Sequence, residues 1–420
     1  MLRWGHPETM EKRGRCNFGR RHPKSHLPLF SQAPGGPDAA IPAGFLMLCG
    51  VGLFAIFSST MSKSPVLPLF AEHLGASESQ LGFIAAASTY TGILLSIPAG
   101  VLSDVWGRKR VLLLSGLVFA SAPFLYLLVQ TPAHLAVIRV YHGAATAIFG
   151  PVAMAYVADL APVRRGERMG LYSSATLVGR SIAPFVGGFL LVGARGYANV
   201  YLVCGAAGAL ALLIGTRLPG ASTAEEKSQV SPWVTAREAL VFALRNRTVL
   251  VTSVIEAVQY FAFGAFETFL PIYAVRNEVP AWQIGIILAA QVATIALTKP
   301  IMGRLSDQIG RRPVIIGGLV LGALAVALLA MSPDVVTLAI AAMLFGLSMS
   351  VVTASTSALV ADASKAAHFG SSLGILSTIM DIGHSSGPVA AGFLVAGLAF
   401  PWMWGIVAGL LLVAAGGFAA

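Results

Sequence analysis

Twelve stretches of this chain carry few or no charges, and each has about the 20 residues that a helix needs to cross a bilayer. They fall near 44–70, 79–102, 111–130, 133–159, 169–192, 197–216, 249–273, 282–303, 314–332, 335–360, 371–396 and 401–420. In hydrocarbon each must be helical, because a helix satisfies its own backbone N–H and C=O groups without water. Composition agrees: 56% of residues are hydrophobic and 11% charged, against roughly a quarter charged in a soluble domain. The pattern predicts an all-α membrane protein of twelve transmembrane helices.

The basic residues sort by side. With a cytoplasmic amino terminus, 22 of the 28 Lys and Arg fall on the inward tail and loops, whereas the outward loops hold only Arg195 and Arg276. Lys63, Arg139, Arg180 and Lys299 fall within spans. That asymmetry is the positive-inside pattern. It predicts a multi-pass protein of the cell membrane with both termini cytoplasmic, and it accounts for the +10 net charge without a nucleic-acid partner. Residues 1–42 are basic, rich in Pro and Gly and without apolar periodicity, so they read as a disordered cytoplasmic tail. The apolar run that follows is too long for a cleaved signal core. A polar linker, 219–247, divides the spans into bundles 43–218 and 248–420, and its stretch "WVTAREALVFALRN" suits a short amphipathic surface helix. Cys16, Cys49 and Cys204 share no spacing motif, so no disulfide framework, metal site or cofactor is expected.

The chain repeats itself. "GVLSDVWGRKR" from Gly100 returns as "GRLSDQIGRR" from Gly303. Asp104/Asp307, Gly107/Gly310 and Asp159/Asp362 are each 203 residues apart. "GLYSSATLVGRSIAPFVGG" from Gly170 resembles "GILSTIMDIGHSSGPVAAG" from Gly374, with Gly170/Gly374, Gly179/Gly383 and Pro184/Pro388 at an offset of 204. An even number of spans per copy makes the two copies run in the same direction. The expected architecture is two pseudo-symmetric six-helix bundles about an axis along the membrane normal, with a site between them.

On these residues the chain, from about 43 to 420, resembles the major facilitator superfamily, and within it the twelve-span drug/proton antiporter branch. Gly100, Asp104, Gly107, Arg108, Lys109 and Arg110 match that family's loop signature, as do Gly303, Asp307, Gly310, Arg311 and Arg312 in the second copy. "LAVIRVYHG" resembles the fourth-span motif at Arg139 and Gly143, with His142 where Gln is usual. "PVLP" at Pro65–Pro68 resembles the first-span motif. Gly170, Gly179, Pro184, Gly187 and Gly188 resemble the fifth-span antiporter motif, with Ala183 replacing a Gly. The resemblance implies that Asp104 and the basic cluster form a latch that holds the cytoplasmic side shut in the outward-facing state. It implies that the Gly/Pro track shapes a seam that favours export, and that Arg139 holds a carboxylate or assists a proton step.

Ionisable side chains within spans are costly and are functional candidates for that reason. Glu256, with Gln259 and Tyr260 on its face, is the first choice as a proton carrier. Asp381 and His384, at i and i+3 in the eleventh span, can meet and form the second. Arg180 reads equally as a contact for an anionic substrate or as an internal partner. Glu267, Lys63 and Lys299 read as span-end residues that snorkel to water. Phe261, Phe263, Tyr260 and Trp282 would suit an amphipathic compound. The expectation is a monomeric, proton-coupled exporter of a small organic molecule, working by alternating access. An uptake symporter of the same fold and a non-transporting receptor or scaffold are the alternatives. No nucleophile–base set, metal-spaced cluster or phosphate loop points to an enzyme.

Overall fold

The computed structural model describes residues 42–160, 165–193, 195–220, 246–331, 334–364 and 369–420. The expected tail and the amphipathic stretch of the linker lie outside them. Among the described residues thirteen helices follow one another: α1 Ala43–Met61, α2 Val66–His73, α3 Glu78–Trp106, α4 Arg108–Tyr126, α5 Pro132–Leu160, α6 Arg165–Leu190, α7 Gly196–Thr216, α8 Arg247–Arg276, α9 Ala281–Ile309, α10 Arg311–Met331, α11 Val335–Ala363, α12 Phe369–Gly397 and α13 Phe400–Ala419. α1 and α2 together make the first span, interrupted at Ser62–Pro65. Pro65 and Pro68 lack the N–H groups that a continuous helix would use there. The count of twelve spans stands.

Boundaries differ from the sequence reading mainly by outgrowth. α3, α5, α9, α11 and α12 have 29 residues each, about 44 Å at 1.5 Å per residue. Only about 30 Å of that is needed to cross hydrocarbon. The polar signature residues therefore sit on the protruding ends of helices and not in loops. Gly107 alone separates α3 from α4, and Gly310 alone separates α9 from α10; their φ angles are +89° and +103°. That backbone region costs glycine nothing and other residues dearly.

Packing repeats with the sequence. α1 lies on α6 and α7, α3 on α5, and α4 on α5 and α7; correspondingly α8 lies on α12 and α13, α9 on α11, and α10 on α11 and α13. The two halves meet through α3 on α12 and α6 on α9. These seams are built from glycine. A Cβ at Gly82 would overlap the Pro388 carbonyl, and one at Gly285 would overlap the Pro184 carbonyl. Gly188 likewise lies against Ala281, and Gly392 against Glu78. Each contact has its repeat-related twin. All lie toward the end of the molecule away from Gly107 and Gly310, the end called here distal. The end carrying the signature residues is the basic end.

Candidate functional site

Between the halves lies a cavity of about 1430 Å³. Its walls come from α1, α3, α5 and α6 on one side and α8, α9, α11 and α12 on the other. On α6 the wall runs from Ser173 to Pro184, on α9 from Leu288 to Pro300, and on α12 from Gly374 to His384. On α6 and α9 it straddles the middle of the helix, and on α12 it runs from mid-helix toward the basic end. The glycine seams stop it distally.

A charged cluster crosses the cavity. Lys63, in the break between α1 and α2, pairs with Glu267 of α8 at 2.8 Å. His384 Nε2 of α12 stands 3.4 Å from the same carboxylate, and the rings of Tyr260 and Phe263 flank the imidazole. This corrects three sequence readings. Lys63 and Glu267 do not snorkel: their side chains are 25% and 16% exposed and face each other. His384 meets Glu267 and not Asp381. The reason is geometric. The α1 break turns Lys63 inward, and α8 continues to Arg276, which leaves Glu267 more than two turns inside the helix. A signal was present: Lys63 and Glu267 are 204 residues apart, the offset of the repeat, so each is the other's pseudo-symmetric counterpart. Arg180 and His384 share that offset.

Other candidates divide. Asp381, Tyr260, Arg139 and Arg180 line the cavity. Arg139 is buried and donates from Nη2 to Ser88 Oγ, while its Nε has no partner. His142 is also in the wall, 3.2 Å from the Tyr126 hydroxyl. Glu256 and Gln259 are not lining residues. Glu256 is buried between α8 and α11, where Thr356 Oγ1 donates to it, and Lys299 lies within electrostatic range. Gln259 donates to Ser348 Oγ at 3.0 Å, and Ser348 donates to the Gly318 carbonyl. It ties α8 to α11, and α11 to α10. Of the aromatics, Tyr260 and Phe263 reach the cavity; Phe261 and Trp282 do not line it.

The signature residues brace their own halves. Arg108 donates to Ser103 Oγ at 2.6 Å and to Asp159 at 3.3 Å. Arg311 donates to Ser306 Oγ at 3.4 Å and to Asp362 at 3.1 Å, and also pairs with Asp307. Lys109 and Arg312 donate to the Leu218 and Phe418 carbonyls beyond α7 and late in α13. The side chain of Asp104 lies outside the described residues. These bonds all run within one half. Across the halves, at the distal end, Arg276 of α8 holds Glu72 at 2.9 Å and Glu78 at 3.1 Å. In the Gly/Pro track, Gly188 sits in the α6–α9 seam, whereas Gly179 lies against Leu53 and Gly187 against Met61 and Val66 within the amino-terminal half. Ala183 is fully buried, and Gly170 has open space around it.

The family model of the Major Facilitator Superfamily matches residues 47–282 and 258–420. The chain belongs to the major facilitator superfamily. It is therefore a multi-span membrane transporter. It is 26% identical over 375 residues, 87% of this chain and 94% of the relative, to an uncharacterized MFS-type transporter of Methanocaldococcus jannaschii. It is 25% identical to multidrug resistance protein 2 of Bacillus subtilis, covering 67% of this chain and 69% of that one. With quinolone resistance protein NorA of Staphylococcus aureus the identity is 24%, over 54% and 56% of the two chains. Among solved structures, a variant of the nucleoside transporter NupG superposes with a TM-score of 0.80 at 16% identity, covering 90% of this chain and 99% of that one. A bacterial homologue of the human lysosomal transporter Spinster gives 0.72 at 18% identity, covering 89% and 95%.

Proposed function

We propose that this transporter is a proton-coupled exporter of a small organic compound, acting as a monomer in the cell membrane by alternating access. The observation that carries the reading is the Lys63–Glu267 pair, a charge bridge between the halves inside their shared cavity. With the amino terminus cytoplasmic, the basic end faces the cytoplasm and the structure is open inward. A deprotonated Glu267 then holds Lys63 and helps the distal side stay shut. A proton taken from outside neutralises that carboxylate and keeps the pair apart while substrate leaves; losing the proton inward lets the pair re-form. His384, against the same carboxylate, is placed to pass the proton. Asp381 and the sealed Glu256 are the further carriers on this reading, and Arg139 positions the opposite wall through Ser88. The likeness to two resistance proteins favours export over uptake.

The test is proton flux in proteoliposomes that trap a pH-sensitive dye, with an imposed gradient and a panel of quinolones and organic acids. Substrate leaving one compartment should drive protons into it. Protons travelling with the substrate would make the protein a symporter, and substrate movement without proton movement would end the coupled reading altogether.

A further inference from the structure

Charges that line the cavity do not balance. Four cations, Lys63, Arg139, Arg180 and Lys299, face two carboxylates, Glu267 and Asp381. Glu267 is taken by Lys63. Arg139 is bonded to the neutral hydroxyl of Ser88, and its Nε has no acceptor. Arg180 and Lys299 are exposed to the cavity, and neither has a hydrogen-bond or ion-pair partner among the described residues. Lys299 feels Glu256 behind it, but that carboxylate is bonded to Thr356 and sealed away from the cavity. Among the described residues, Asp381 is the one lining acid left to answer three cations.

Placement makes this imbalance specific. Arg180 is on α6 and Lys299 on α9, the two helices that form one of the seams between halves. Both side chains line the same cavity, one from each half, on the side of the seam away from the distal glycines. A cleft lined by one sign of charge between low-dielectric walls concentrates counter-ions. An anion between the two cations offsets their mutual repulsion. Apolar walls lie nearby: Tyr260 and Phe263 from α8, with Leu288, Ile295 and Met349.

We infer that the transported compound is an organic anion, with a carboxylate, sulfonate or phosphate shared between Arg180 and Lys299 and an apolar body against the aromatic wall. The inference rests on the cavity being the transport site. It gives substrate a direct part in the cycle: bridging the two cations draws the open ends of the halves together. An organic cation would add to the positive excess and meet only Asp381.

Equilibrium binding to the purified full-length protein in lipid nanodiscs tests this. Naphthalene-2-carboxylate, naphthalene-2-sulfonate and the isosteric 2-naphthylmethylammonium serve as probes, by calorimetry without any gradient. Both anions should bind and the ammonium should not. Arg180→Gln and Lys299→Gln should each weaken anion binding by about tenfold or more, since charge-assisted bonds are the strong ones. Lys299→Arg, which keeps the charge, should retain most of the affinity and shows that the site still folds. Three results would overturn the inference: the ammonium binding as well as the anions, anion affinity unchanged in both Gln variants, or no binding of either anion. Anion binding without movement across proteoliposomes would leave the anion site standing and remove the reading that the bound anion is what the protein transports. Transport of the ammonium alone would do the reverse.

Discussion

Glu256 and Glu267 stand eleven residues apart on α8 and live in opposite circumstances. Glu256 is sealed inside the carboxyl-terminal half, satisfied by a threonine hydroxyl, and has no counterpart charge in the other half. Glu267 faces the cavity and is bound to a lysine from the amino-terminal half, at the position the repeat maps onto its own. The first can change charge without moving the halves. The second cannot change charge without altering what joins them. A buried carboxylate is therefore not by itself a coupling site; what matters is whether its partner belongs to the part that moves.

The largest effect should come from breaking the bridge. The pair joins the two halves inside their cavity, so Glu267→Gln or Lys63→Met should lower transport by roughly a hundredfold, about 2.7 kcal/mol. The swapped double variant, Lys63→Glu with Glu267→Lys, should recover part of the rate in the same proteoliposome assay. No recovery, with both single variants folded, would mean that the pair is not what joins the halves. Next in size is Glu256→Gln. It should cost about tenfold in gradient-driven rate, or about 1.4 kcal/mol, while leaving substrate affinity unchanged. A loss equal to that of Glu267→Gln would erase the distinction between the two carboxylates.

The distal clamp should weigh less. Arg276 is 42% exposed and its acids about 30%, and exposed pairs contribute about 0–1 kcal/mol each. Arg276→Gln should therefore raise labelling of a distal seam cysteine only a few-fold. The smallest effect belongs to Gln259→Leu. It removes one neutral hydrogen bond, worth about 1 kcal/mol, so the melting temperature should fall by a few degrees and transport should hold. A strong transport defect would return Gln259 to the site.

The span count, the doubled architecture and the family were all legible in the sequence, because length, hydropathy and the 203–204 offset are properties of the chain itself. So were Asp381, Arg139, Arg180 and Tyr260 as cavity residues. What the residues alone did not disclose is depth and partner. Lys63 reads as a span-end residue because hydropathy does not show a break within an apolar run, whereas Pro65 interrupts the first span and α8 runs three residues past its expected end. His384 was matched to Asp381, its neighbour on one helix, although the partner that reaches it is on α8. Applying the repeat offset to charged residues as well as to glycines and prolines would have brought Lys63 and Glu267 together.

The glycine seams have one more consequence. Where main chain rests on main chain, a single added carbon acts as a doorstop. Alanine at Gly82 or Gly285 would leave the distal mouth unable to shut without altering a single charged side chain. Such a chain would be caught in the state opposite to the one seen here, offering experimenters a wedge that needs no ligand to hold it.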